Sequence, residues 1–188
     1  MIKNLTILLL TLLVLGGCTE EISHEKILER NGLHYKVNSE TPFSGISIKE
    51  DRHSKYLHEY DEGKIVKKEQ YDLNGQLRTR LNFKDKVEHG LQEHYFSNGQ
   101  LSSRKTFNNG KEDGIHIVFH FEGYLEQEIV FKEGKEQFFK GFRDDGTLKR
   151  SRERKGINYL LESSHDELGN VINSFCWSEE PLRPVDYS

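Results

Sequence analysis

The sequence predicts an all-β chain: an elongated, twisted single-sheet antiparallel meander built from hairpin repeats of 23 or 24 residues. Three observations predict it. A glycine followed two residues later by Leu, Ile or Val recurs at Gly63/Ile65, Gly75/Leu77, Gly99/Leu101, Gly123/Leu125, Gly146/Leu148 and Gly169/Val171, in steps of 12, 24, 24, 23 and 23. Two aromatic series keep the same beat: Tyr71, Tyr95, Phe119 and Phe142 stand four residues before a glycine, with Tyr60, Phe83, Phe107 and Phe131 between them. Finally, apolar residues alternate with polar ones, as in Leu77, Thr79, Leu81, Phe83 and in Ile115, Ile117, Phe119, Phe121, which is the period of a half-buried strand.

A step of about 12 residues is too short for a strand plus a helix but suits a strand of 7 or 8 residues and a tight turn. In YDLNGQL (71–77) and YFSNGQL (95–101) the tyrosine ends a strand, Asn-Gly turns it and leucine begins the next. Asn74-Gly75, Asn98-Gly99, Asn109-Gly110 and Asp145-Gly146 are dipeptides that tolerate positive φ, as primed hairpin turns require. Strands joined this way are antiparallel neighbours, giving about ten to twelve strands between residues 33 and 175. With 34% hydrophobic and 31% charged residues, the chain suits a thin ordered sheet better than a thick globule. Its 188 residues suit one domain.

The ends differ from the middle. Residues 1–17 contain one Lys, an apolar run from Leu5 to Leu15 and two glycines, the pattern of an export signal and too short to span a bilayer. Leu15-Gly16-Gly17-Cys18 closely resembles the bacterial lipobox. That resemblance implies a diacylglycerol thioether on Cys18, membrane anchoring through more than one acyl chain, and a place in the cell envelope, with Thr19 favouring the outer membrane. Residues 18–32 then read as lipidated cysteine and polar tether, 33–175 as the repeat domain and 176–188 as a tail anchored by Trp177. With Cys18 acylated, Cys176 is left alone and is expected as a small buried hydrophobe.

The stretch FNNGKEDGIHIVFHFEGYL (107–125) resembles the bacterial variant of the MORN (membrane occupation and recognition nexus) repeat: aromatic, Asn-Gly-Lys, a second glycine at Gly114, an aromatic, then Gly123 and Leu125. The units from Tyr60, Phe83 and Phe131 match with departures: Lys86 stands where glycine is expected, and Phe138 replaces the counterpart of Gly90 and Gly114. The resemblance covers roughly 43 to 172 and implies protein binding, including an antitoxin-like or immunity-like role. An exported antitoxin would need a toxin that acts outside the cytoplasm.

No nucleophile motif, phosphate-binding loop or definable carboxylate pair is present, so no catalytic residue and no cofactor are assigned. A formal charge of −4 argues against nucleic acid. His116 and His120 lie about 13 Å apart on a strand and cannot share one metal ion, so no metal site is assigned. Two surfaces remain. The aromatic row Tyr71, Phe83, Tyr95, Phe107, Phe119 and Phe131 is the candidate binding surface for an unknown protein partner. The run KRSRERK, with Lys149, Arg150, Arg152, Arg154 and Lys155, is a candidate strip for a polyanion. The leading expectation is a lipid-anchored, non-catalytic protein-binding module. Its competitors are an envelope lipoprotein that touches anionic lipid or wall polymer through the basic strand, and a hydrolase with an unrecognised site.

Overall fold

In the computed structural model of the chain, residues 19–156 and 159–178 are described. Cys18 and the signal stretch before it, and residues 179–188 of the tail, lie outside the described residues. The N-terminal segment comprises β1 (Glu21–Ser23), a 3-10 turn (His24–Lys26), β2 (Ile27–Arg30) and β3 (Leu33–Lys36). Then come β4 (Gly45–Glu50), β5 (Ser54–Asp61), β6 (Lys64–Asp72), β7 (Leu77–Lys84), β8 (Val87–Tyr95) and β9 (Leu101–Asn108). The rest is β10 (Lys111–Glu112), β11 (Gly114–Phe119), β12 (Leu125–Lys132), β13 (Lys135–Phe142), β14 (Leu148–Arg154), β15 (Tyr159–His165) and β16 (Val171–Ser178).

From β4 to β16 the strands pair antiparallel in chain order, except that the two-residue β10 pairs only with β9 and β11 follows β9; with β1 they form one open 14-stranded sheet, the meander the rhythm predicts. The stretch expected to be a tether is instead folded. β1 pairs parallel with β4, and β2 and β3 form a separate hairpin, so the chain closes over its own first strand. Its Ile22 and Ile27 are half-buried on these strands, whereas most of their neighbours are exposed.

Two kinds of turn alternate. At Asn109-Gly110 both residues have positive φ (49° and 79°), as a type I′ hairpin requires, and Asp85-Lys86 does the same without glycine (48° and 70°). The Asn74-Gly75, Asn98-Gly99 and Asp145-Gly146 turns are different from expectation: only the glycine has positive φ. These turns are longer and are held by a side chain; Asp72 Oδ1 accepts hydrogen bonds from the amides of Asn74 (2.9 Å) and Gln76 (3.0 Å). Each longer turn is flanked by a register shift, as between Gln70 and Tyr71, His94 and Tyr95, and Val118 and Phe119.

These bulges change which residues share a face. Ile117 pairs with Glu128 and His116 with Ile129, so the apolar stripe Ile115–Ile117–Phe119 lies on the face opposite Ile129 and Phe131. Neither face is uniformly apolar, contrary to the expectation of one oily and one wet side. The buried hydrophobic residues are accordingly few: Phe43 and Tyr60 at the N-terminal end, Ile129 and Phe139 further along. Phe43 and Tyr60 are packed ring to ring at 5.5 Å under the N-terminal segment.

Candidate binding surface

Equivalent positions of neighbouring units build an acid–base ladder across four strands. Glu69 on β6 faces Arg80 on β7, Arg80 faces Glu93 on β8, and Glu93 faces Arg104 on β9. Arg80 donates from Nε to Glu69 (2.7 Å) and from Nη1 to Glu93 (3.2 Å), while Arg104 donates from Nε to Glu93 (2.9 Å). Tyr71 and Tyr95 complete it, donating their hydroxyls to Glu69 (2.9 Å) and Glu93 (3.0 Å). The Glu93 side chain is only 8% exposed, yet its carboxylate is bonded by two guanidinium groups and a phenol. Burial pushes both carboxyls up, but the hydrogen bonds from arginine and tyrosine outweigh it and hold Glu69 and Glu93 below the ordinary range. The ladder stops where Ile117 stands opposite Arg104.

A second buried polar group lies one residue away on the other face. Gln92 is 1% exposed, and its amide accepts from the Asn82 N–H (2.9 Å) and donates to the Asn82 carbonyl (2.8 Å). It takes the place of a backbone rung where the β7–β8 register shifts between Leu81 and Phe83.

The six aromatic residues do not form one stripe. Tyr71 and Tyr95 lie on the ladder face beside their glutamates, and Phe119 shares that face through Ile117. Phe83, Phe107 and Phe131 lie on the other face, where Lys68 sits over the Phe83 ring (5.2 Å), Phe107 opposes Gly90, and Phe131 opposes Gly114 and stacks with His116 (6.3 Å). All six are half-buried. The bulges, invisible to a strict two-residue alternation, separate the two series. On the ladder face Tyr71, Leu57 and the exposed Leu73 line a shallow groove of about 300 Å³ with Lys55, Glu50 and Asp72 at its rim.

The basic run is partly tied into the sheet. Arg150 and Arg152 lie at 5.1 and 5.2 Å from the ring of the buried Phe139. Arg152 also pairs with Glu136 (3.0 Å) and Glu162 (3.7 Å), Arg154 donates to the Glu136 carbonyl (2.6 Å), and Lys155 pairs with Glu153 (2.8 Å). Lys149 is exposed. Cys176 is exposed on the edge strand β16, not buried as expected.

His116 and His120 stack on different rings, Phe131 and Tyr124. Among the described residues no group of three or more His, Cys, Asp or Glu side chains is placed to hold a metal ion. Sequence reasoning missed the ladder and the Gln92 amide. A signal for the ladder was present: Glu69 and Glu93, and Arg80 and Arg104, are each one 24-residue unit apart.

An open antiparallel sheet of tandem hairpins, cross-linked between equivalent positions of consecutive units, defines a repeat protein. Residues 67–85 and 88–109 match the family model described as MORN repeat variant, so these two units are similar to that repeat. The first contains Glu69 and Arg80, and the second Glu93 and Arg104. None of the curated proteins compared with the chain matches it.

Proposed function

We propose that the chain is an exported lipoprotein, anchored through acylated Cys18, whose repeat sheet is a non-catalytic binding surface for another protein. The observation that carries this is the ladder face of the repeat units. Tyr71, Leu57 and Leu73 offer an apolar groove there, with charges at its rim, the arrangement of a protein contact patch. The ladder keeps that surface in one register, because each rung joins the same positions of adjacent strands. An immunity-like role, neutralising a protein that acts outside the cytoplasm, is the form of binding that suits an anchored module. Within this proposal the basic run has a structural part, since its arginines are engaged with Phe139, Glu136 and Glu162.

The test uses the full chain with Cys18→Ala to remove the anchor, as bait against envelope extract in detergent. Recovery of one protein in stoichiometric yield, lost with Leu57→Glu plus Leu73→Glu, is the expected result. Recovery of lipid or wall polymer alone, unchanged by those substitutions, defeats the proposal. Mass spectrometry of the mature N-terminus checks the anchor separately, with a thioether-linked diacylglycerol on Cys18 as the expected species.

A further inference from the structure

The N-terminal segment is held on the sheet by few bonds and an unusual set of neighbours. Its backbone contributes the short parallel pairing of β1 with β4, the Ile46 amide to the Glu20 carbonyl (2.8 Å), the Gly63 amide to the Phe43 carbonyl (2.8 Å) and the His34 amide to the Gly63 carbonyl (2.8 Å). Gly63 has φ +78° and no room for a side chain, since a Cβ there would meet the His34 backbone at 3.0 Å.

Beneath the segment, histidines from three elements meet. His24, in the 3-10 turn, bonds through Nδ1 to Ser47 Oγ (2.9 Å) and sets its ring edge-on to His58 of β5, centroids 5.3 Å apart. His34 of β3 packs on Tyr60 at 4.9 Å, and Tyr60 in turn lies 6.5 Å from His58. His58 Nδ1 is buried with no hydrogen-bond partner. The charged or titratable groups acting on His58 most strongly are Lys68 from β6, His24, His34, and Lys49 from β4. All of them are cationic or become so, and none offers a protonated imidazole a counterion.

We propose that the segment from Glu20 to Phe43 is an acid-released clamp: protonation of His24 and His58 loosens it, freeing the edge of β4 and the Phe43–Tyr60 pair. The titration fits the geometry. Burial, then Lys68, lowers His58 to about 4, and burial followed by Lys49 also lowers His24. Because the folded values lie below the ordinary imidazole value, the unfolded clamp binds more protons in that interval. Clamp stability is therefore complete above about pH 6.5 and declines as pH falls from there towards about 4.

The experiment is amide hydrogen exchange on the full chain in detergent at pH 7 and pH 4.5, reported as protection factors. Expected is a loss of at least about tenfold for Ile46 and Gly63, which donate to the segment, beside unchanged protection in β7 to β9. Parallel loss at both sets, or none at the first, overturns the proposal. His58→Gln, neutral at both pH values, should abolish most of the difference. If that variant does not fold, the wild-type imidazole titration decides: a His58 midpoint near 6.5, with protection retained below it, defeats the clamp. Partner recovery at pH 7 is read separately, so the two proposals fail independently.

Discussion

Two adjoining regions of the same sheet hold buried polar groups in opposite ways. Under the N-terminal segment, His24 and His58 are packed against one another, and burial, then neighbouring cations, favours their neutral form. On the adjoining strands β6 to β9, Glu69, Arg80, Glu93 and Arg104 are packed as closely but alternate in sign, so they stay charged. A thin sheet without a deep apolar core can thus bury polar side chains either by withholding charge or by matching it. The two solutions differ in pH response. The clamp weakens between about 6.5 and 4, whereas depressed carboxyls keep the ladder intact until pH falls below the ordinary glutamate value and through their folded values.

The largest effect should come from the clamp's aromatic pair. Tyr60→Ala removes a ring that is 3% exposed and in contact with Phe43 and His34, and should cost about 3–5 kcal/mol in urea unfolding. Loss confined to the clamp, with β6 to β9 still protected from exchange, would sharpen the contrast between the two regions. On the ladder side, Glu93→Ala strands the Arg104 guanidinium and the Tyr95 hydroxyl and leaves Arg80 with Glu69 alone. Since both arginines keep over a third of their side-chain surface in water, the cost should be about 2–3 kcal/mol, below that of a wholly buried pair. An equal effect from Arg104→Ala and Glu93→Ala would break the picture, because Glu93 joins two rungs and Arg104 one. Gln92→Ala leaves the Asn82 N–H and carbonyl unpartnered and should cost about 1–3 kcal/mol, with Gln92→Glu no rescue because a carboxylate cannot donate to that carbonyl.

What the sequence made legible, and what it did not, follows the same division. The Gly63-to-Gly169 rhythm and the two aromatic series were enough for an open meander of neighbouring strands, because turn chemistry is local. The faces were not legible in the same way. Every second turn is longer and flanked by a register shift, and Tyr71, Tyr95 and Phe119 beside these turns lie on the face opposite Phe83, Phe107 and Phe131. The N-terminal segment was misread as a tether because β1 pairs with β4 across an intervening hairpin, and such a contact leaves no periodic trace. The histidine group was equally hidden: His24, His34 and His58 have no common spacing and meet only through that crossing.

The smallest effect should have the opposite sign and lies between the two regions, at the β7–β8 turn. Asp85 and Lys86 both adopt positive φ, 48° and 70°, where the matching turns carry glycine second, at Gly63, Gly110 and Gly134. A side chain in the left-handed region costs about 1–2 kcal/mol, partly offset because glycine frees the unfolded chain. Among the described residues Lys86 forms no ion pair that would be lost, whereas Asp85 holds Lys64 at 2.7 Å and should be left in place. Lys86→Gly should therefore stabilise the protein by about 0.5–1 kcal/mol, read as a higher urea midpoint with an unchanged slope. The gain should be the same at pH 7 and pH 5, since no titrating contact changes. A gain that appears only in acid would mean that Lys86 adds to the positive field over the histidines, and the clamp would then extend to the tip of the first matched repeat.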